Sequence, residues 1–279
     1  MRTDLGRAVT ALALAGAACA RATTATTTST TSTTATATTT TASTPAATTA
    51  SSSLPAARTI IDRFAQAIGG RDAIMRRTSI RSIGSFEMPA AGVKGNLTVV
   101  QVAPNKMGMT IDLPGMGQMV TAYDGTVGWS INPMQGPRIL EGKELEQIRE
   151  DAGPAAMLRP ADRIRSLETV ERTTMNGQPC YKVKVTTLSG RESFDCYSTE
   201  TGLLVAMTAT QDSPMGQVQV TTLFDDWKEF GGLKAATKVR LQMLGQEQVL
   251  TIDRVEFDGQ DDLKALEMPE QVKPLVKKP

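Results

Sequence analysis

The side chains that most often carry chemistry are either missing from this chain or set at spacings that chemistry does not use. None of its 279 residues is histidine, which removes Ser-His-Asp and Cys-His catalysis, HExxH metal sites and histidine pH switches together. Carboxylates stand side by side in Asp225-Asp226 and Asp261-Asp262, but a calcium loop needs further oxygen ligands at fixed positions, so solvated turns are expected there. Glu144, Glu146 and Asp151 fall on one helical segment and are read as its solvated face. Paired carboxylates can do acid–base chemistry without histidine, yet nothing in these spacings recommends it. No catalytic residue, metal site or cofactor is assigned, and no enzymatic activity is expected.

Sulfur is the more informative element. The chain has 14 methionines, and four stand where turns are expected: Met88 before Pro89, Met116 in Pro114-Gly115-Met116-Gly117, Met134 in Asn132-Pro133-Met134-Gln135-Gly136, and Met215 after Pro214. Methionine is unbranched and polarizable, so it suits a surface that accepts apolar chains of variable shape. The plainer reading is that these side chains fold back and seal a core. Met107, Met109 and Ile111 share one face of a strand, as do Val205 with Met207 and Leu241 with Met243. They are read as inward wall, which in a hollow sheet is the binding surface.

Cys180 and Cys196 make an even pair that an oxidising compartment would invite to bond. A three-residue turn at 188–190 sets Cys180 opposite Ser198 and Cys196 opposite Lys182, a diagonal of roughly 7 to 8 Å that argues against a disulfide. A two-residue turn would put the cysteines on opposite faces. Both states stay open on the sequence.

Composition sets the frame. A net charge of +1 gives no basic field and 4% aromatic residues give no stacking platform, so nucleic acid is excluded as a partner. Residues 1–20 read as an export signal: Arg2 and Arg7 precede the small apolar run 8–18, which is too short to span a bilayer. Cleavage is expected either at an Ala-x-Ala site ending at Ala17 or Ala20, or before Cys19 with lipid on its thiol. Gly16-Ala17-Ala18-Cys19 supplies the small residues of a lipobox, although Leu14 lies two positions early for it. Residues 21–53 are nearly all Thr, Ser and Ala; with no large apolar side chain to bury, they read as a disordered tether with an end-to-end distance of about 30 Å.

Residues 54–279 form the folded domain. A helix opens it, with Ser53 as cap, Pro55 in the first turn, and Ile60, Ile61, Phe64, Ala67 and Ile68 on one stripe before Gly69-Gly70. A short helical turn follows at 71–77, then strand-like runs at 79–88, 95–102, 106–113, 118–123 and 126–131, with Asp124-Gly125 a hairpin signal. A polar helix at 141–152 shows a thin apolar line of Leu145, Ile148 and Ala152, and helical turns broken by Pro154 and Pro160 continue to about Leu167. A meander closes the chain at 180–187, 193–197, 203–210, 217–224, 237–244 and 248–257. Trp129 is expected in the core and Trp227 as a pin for a loop. The fold class is α+β and mainly antiparallel β, with about eleven strands that twist drives to curl and helices that cover the concave apolar face.

Several stretches resemble the bacterial outer-membrane lipoprotein-sorting proteins of the LolA/LolB-like family. They are residues 68–74 (IGGRDAI), 84–95 (GSFEMPAAGVKG), 103–107 (APNKM), 123–146 (YDGTVGWSINPMQGPRILEGKELE), 200–204 (ETGLL), 231–239 (GGLKAATKV) and 266–269 (LEMP). The resemblance implies an unclosed β-barrel with a helical lid over a cavity for acyl chains. Such carriers hold the lid with a cavity arginine, which no local motif places here. The expectation is a monomeric, exported carrier or receptor for the acyl chains of lipoproteins or lipids, in the periplasm or lipid-anchored on the periplasmic face of the outer membrane. The alternative is an envelope sensory or scaffold protein with a filled barrel and a protein partner. Cys19→Ala is expected to move the protein from the membrane to the soluble fraction; unchanged fractionation would reject the anchor.

Overall fold

A computed structural model describes residues 54–213 and 216–276. Cys19, the signal and tether segments, the Ser53 cap and Met215 lie outside the described residues. Helix α1 (Ala57–Ala67) and helix α2 (Arg71–Met75) precede strands β1 (Ser79–Met88), β2 (Val93–Val102), β3 (Lys106–Leu113), β4 (Gly117–Tyr123), β5 (Gly128–Asn132) and β6 (Gly136–Ile139). Helix α3 (Gly142–Asp151) and a 3-10 turn (Ala156–Leu158) lead to β7 (Ile164–Met175), β8 (Gln178–Thr187), β9 (Glu192–Ser198), β10 (Leu204–Ser213), β11 (Gly216–Phe230), β12 (Leu233–Met243) and β13 (Gln246–Phe257). All thirteen belong to one sheet ordered β6-β5-β4-β3-β2-β1-β13-β12-β11-β10-β9-β8-β7. Every pairing is antiparallel. The sheet does not close, and its edges, β6 and β7, are joined by the connection that carries α3.

Those edges are the two strands beyond the expected eleven. β6 has four residues and contains Pro137, while β7 begins where broken helix was expected and has no buried residue. An edge strand carries polar side chains on both faces as protection against further pairing, so its alternation is weak.

α1 starts at the expected stripe with Ala56 as N-cap and no side-chain cap. Its end is fixed by Gly69, whose φ of +118° suits glycine and whose added Cβ would lie 2.4 Å from the Gly232 carbonyl oxygen. The Lys234 amide bonds the Ile68 carbonyl at 2.9 Å, tying α1 to the β11–β12 hairpin. Ile60, Ile61 and Phe64 pack on Val183, Val185, Tyr197, Leu204 and Leu233. Trp227 joins that cluster from within β11 rather than from a loop, edge-on to Phe64 at 6.0 Å.

On the opposite face of β2–β5 lies the C-terminal segment, with Leu266 against Val100 and Val102 and Val272 against Ala122 and the buried Trp129. Asp262 holds this segment. It is buried, receives the Ser79 hydroxyl, and pairs with Arg81 at 2.6 Å, so it is not the solvated turn expected. Asp225 likewise pairs with Arg240 at 2.9 Å.

Cys180 stands opposite Ser198 and Cys196 opposite Lys182, the expected diagonal, yet the two cysteines form a disulfide with Cα atoms 5.6 Å apart. Strand twist shortens one of the two diagonals of each pair, a contraction that a flat-sheet distance omits. Thiol titration of the denatured, unreduced protein should find no thiol beyond Cys19, and the Cys180→Ala/Cys196→Ala double variant should lose about 3 kcal/mol.

Candidate functional site

Strand pairing decides which side chains share a face, because directly opposed residues point to the same side. Met107 faces Tyr123, Met109 faces Val99 and Thr121, and Ile111 faces Leu97 and Met119. Leu97 and Phe86 then lead through Gly84, Ile252 and Leu250 to Val239. Leu241 and Met243 are on that side, opposite Thr222 and Val220, which face Met207 and Ala209. The expected wall residues of three separate strands therefore lie on one continuous face.

Three stretches of that face are packed, one of them the buried cluster of Phe86, Leu97, Ile111 and Met119 on β1–β4 itself. α1 and its cluster lie on β8–β9 and the adjoining strands. At the other side, Tyr123, Leu140, Ile148 and Ala152 form the α3 cluster, with Met107 and Leu145 against it. Around the β1–β4 cluster Val99, Met109, Leu250 and Ile252 pack half-buried against it, and Val239, Leu241, Met243 and Met207 are half-buried further along the face. A cavity of about 10 Å3 lies beside Met109, Ile111 and Met119, too small for more than one water. A larger one of about 270 Å3 separates α3 from the β8–β9 turn, but its walls, including Lys143, Glu146, Gln147 and Arg191, are polar.

The expected site residues fall into groups. Met107, Met109, Met207, Leu241 and Met243 line the half-buried stretch or its margin. Met88 is not turn-borne: it ends β1, buried with Phe86, Val93 and Leu113. Val205 is 2% exposed and is part of filled core. Met116 and Met134 are exposed on turns away from the wall.

A charged pair that sequence reasoning missed stands at the margin of this wall. Arg159, just after the 3-10 turn, reaches Asp195 on β9 with Nε at 2.8 Å and Nη2 at 3.1 Å. Asp195 has no exposed surface and also receives Ser193 Oγ at 3.1 Å and Tyr197 Oη at 3.2 Å. Arg159 Nη2 lies 3.3 Å from the Met207 sulfur, and its own carbonyl accepts from Arg58 of α1 at 3.0 Å. Burial would lower the Arg159 pKa, but the Asp195 carboxylate together with Tyr197 and Asp151 raises it. Burial and the same carboxylate push the Tyr197 phenol well above its ordinary range, so it stays a donor. The only signal available was the 154–163 stretch itself, where a proline-broken connection carries two arginines into an otherwise apolar neighbourhood.

The same connection is clasped at other points. Arg138 grips Glu144 through two hydrogen bonds at 2.7 and 3.1 Å. Arg191 pairs with Glu150 at 3.0 Å and Asp151 at 2.6 Å. Burial would raise the Glu150 pKa, and hydrogen bonds from Ser189, Thr187 and Arg191 bring it below the ordinary carboxylate value. Arg163 donates to the carbonyls of Glu150, Ala152 and Pro104. Glu144 and Asp151 are thus bound rather than solvated. Among the described residues no group of three or more His, Cys, Asp or Glu could hold a metal, and no helix is long and apolar enough to cross a membrane.

These features define a class: an open antiparallel meander with helices packed on parts of one face, the C-terminal segment on the other, and a charged clasp on the connection between its edges. The sequence matches no protein-family model and no curated protein. Among solved structures, a DUF1329 family protein from Desulfovibrio piger is similar over 77% of this chain and 100% of its own, with a TM-score of 0.53 at 12% identity. A LolA superfamily protein from Nitrosomonas europaea is similar over 77% and 99%, with a TM-score of 0.52 at 11% identity. A domain described as outer membrane lipoprotein-sorting, from Vibrio parahaemolyticus, is similar over 74% and 95%, with a TM-score of 0.51 at 10% identity. The fold of this chain is LolA-like.

Arg159→Met leaves the Asp195 carboxylate buried without its cation and is expected to cost roughly 3 to 5 kcal/mol. Arg159→Met/Asp195→Leu should recover much of that loss in urea unfolding. Two independent, additive losses would mean that the pair does not act as a unit.

Proposed function

We propose that this protein is a non-enzymatic carrier or receptor for acyl chains of lipoproteins or lipids in the bacterial cell envelope, held at the periplasmic face of the outer membrane through Cys19. The half-buried apolar stretch between the α1 and α3 clusters carries this reading. Val99, Met109, Leu250, Ile252, Leu241 and Met207 stay only partly buried although each faces the side on which the helices pack. In this reading the sheet curls around that face, the helices cover it, and the connection clasped by Arg159 is the part that moves to admit a chain. Each methylene buried on the wall would contribute on the order of 0.8 kcal/mol. The LolA-like fold supports the same assignment, with one monomer binding its cargo.

A second reading, a sensory or scaffold protein whose barrel is filled and whose partner is a protein, is supported by the burial of Met88 and Val205. Val205 cannot separate the two, because Val205→Phe should overpack in either. Leu241 can. In a wall that takes cargo, Leu241→Trp should leave thermal unfolding nearly unchanged and weaken binding of a fluorescent fatty acid about tenfold. Absence of saturable binding in the wild type, with a loss of about 1 to 3 kcal/mol in the variant, would favour the filled scaffold.

A further inference from the structure

Hairpins of a meander alternate between the two ends of its sheet, and here the two ends differ in kind. Four consecutive turns at one end join β5–β6, β3–β4, β1–β2 and β12–β13, at residues 133–135, 114–116, 89–92 and 244–245. They contain no charged residue, although 21% of the chain is charged. Their tips include Met134, Met116 and Leu244, exposed at 56%, 38% and 62%. A Cβ on Gly117 would lie 3.3 Å from the Pro133 ring, so the first two turns adjoin. The turns at the other end, at 124–127, 103–105, 231–232, 199–203 and 176–177, bear Asp124, Asn105, Glu200 and Asn176 and none of the exposed large apolar side chains. The β8–β9 turn departs from the apolar set, since Arg191 turns back onto α3 and the Leu188 amide bonds Arg163.

The backbone makes the contrast sharper. Asn176-Gly177 and Leu244-Gly245 are both two-residue turns with positive φ at each position, 50° and 72° in one, 51° and 75° in the other. Asparagine and glycine are the residues such a turn prefers. A leucine in left-handed backbone is disfavoured, and at this tip it is 62% exposed and recovers little by packing. A strained, exposed apolar residue at a turn tip has a local cost that points to a use outside the fold.

We propose that this end of the sheet docks onto the surface of an uncharged lipid bilayer, with Met116, Met134 and Leu244 entering its interfacial layer. Alternate turns of a sheet stand about 10 Å apart, so apart from the adjoining 114–116 and 133–135 turns the tips are separate fingers rather than a groove. A fluid surface accepts such fingers without shape complementarity, whereas a protein partner would need a continuous packed patch. The turn residues carry no charge, and the nearest ionic side chains include Glu87 and Lys94, which pair with each other just behind the 89–92 turn; an uncharged contact fits a neutral surface and is insensitive to salt. A tether from a lipid-bearing Cys19 would keep a bilayer within reach of the domain. The inference goes beyond the carrier reading and does not depend on what the wall holds.

The test uses the full chain carrying Cys19→Ala, which removes any acyl anchor, and phosphatidylcholine vesicles in a flotation assay. The chain is expected to float with vesicles equally at low and high salt. Met116→Glu/Met134→Glu/Leu244→Glu should reduce partitioning at least tenfold, while Met75→Glu, at an exposed apolar site elsewhere, should not. Leu244→Asn gives a separate readout: its melting temperature should be equal or higher while its partitioning falls. Failure of the parent chain to float, equal flotation of the triple variant, or binding that needs anionic lipid and vanishes in salt would overturn the proposal. Fatty-acid binding in solution should survive the triple substitution; its absence in the parent chain with flotation intact would reject the carrier and leave the docking surface standing.

Discussion

A carboxylate without exposed surface has to be compensated within the fold, and Asp195 obtains its compensation from outside the sheet. Its cation, Arg159, belongs to the connection between the two edge strands, and its hydroxyl donors, Ser193 and Tyr197, belong to β9 itself. Tyr197 also meets Phe64 of α1 at 5.4 Å between ring centroids. One buried charge therefore links β9, the helix packed on it, and the segment that must return from β6 to β7. Undocking that segment exposes a charge pair to water and uncouples the two helical clusters at once. A neutral contact there would give way gradually, whereas a desolvated ion pair tends to be either made or broken.

The wall itself is divided by residue type. Under α1 it is built from Val183, Val185, Tyr197 and Leu204, whose stiff or bulky side chains interlock and leave little room. Across the middle, Met109, Met207 and Met243 alternate with Leu and Val, and these positions remain half-buried. Unbranched thioethers can take several rotamers at small cost, so a surface made of them can close on itself or on a guest with similar energies. That property is the one the proposed binding wall would use.

The spacing of apolar residues was enough to place most interior strands, the helix stripe at Ile60, Ile61 and Phe64, and the Leu145, Ile148, Ala152 line of α3. Both face periodicity and turn chemistry agree at those places. The LolA-like fold was legible in short stretches spread along the domain. The two edge strands were not, because β7 is half or fully exposed along its length and β6 is too short to alternate. The charged clasps were also hidden. Arg159 and Asp195 are separated by 36 residues, and nothing local distinguishes a carboxylate that will be buried from one that stays in water. The disulfide was misjudged for a geometric reason, since a pairing register gives rows and columns but not the twist that draws one diagonal together.

An apolar wall left half-open lowers stability, because each unburied square ångström forgoes about 25 cal/mol. The compensating features are concentrated near the wall's margins. The Cys180–Cys196 disulfide ties β8 to β9, the strands on which α1 packs and from which Asp195 projects. Asp262 and Arg81 fasten the C-terminal segment across the opposite face of the other half, where Trp129 and Val272 are buried together. Between these margins the Phe86, Leu97 and Ile111 cluster is buried and the residues around it are half-buried. Exchanging one unbranched apolar side chain for another at Met109, Met207 or Met243 would change the shape of this face more than the stability of the fold.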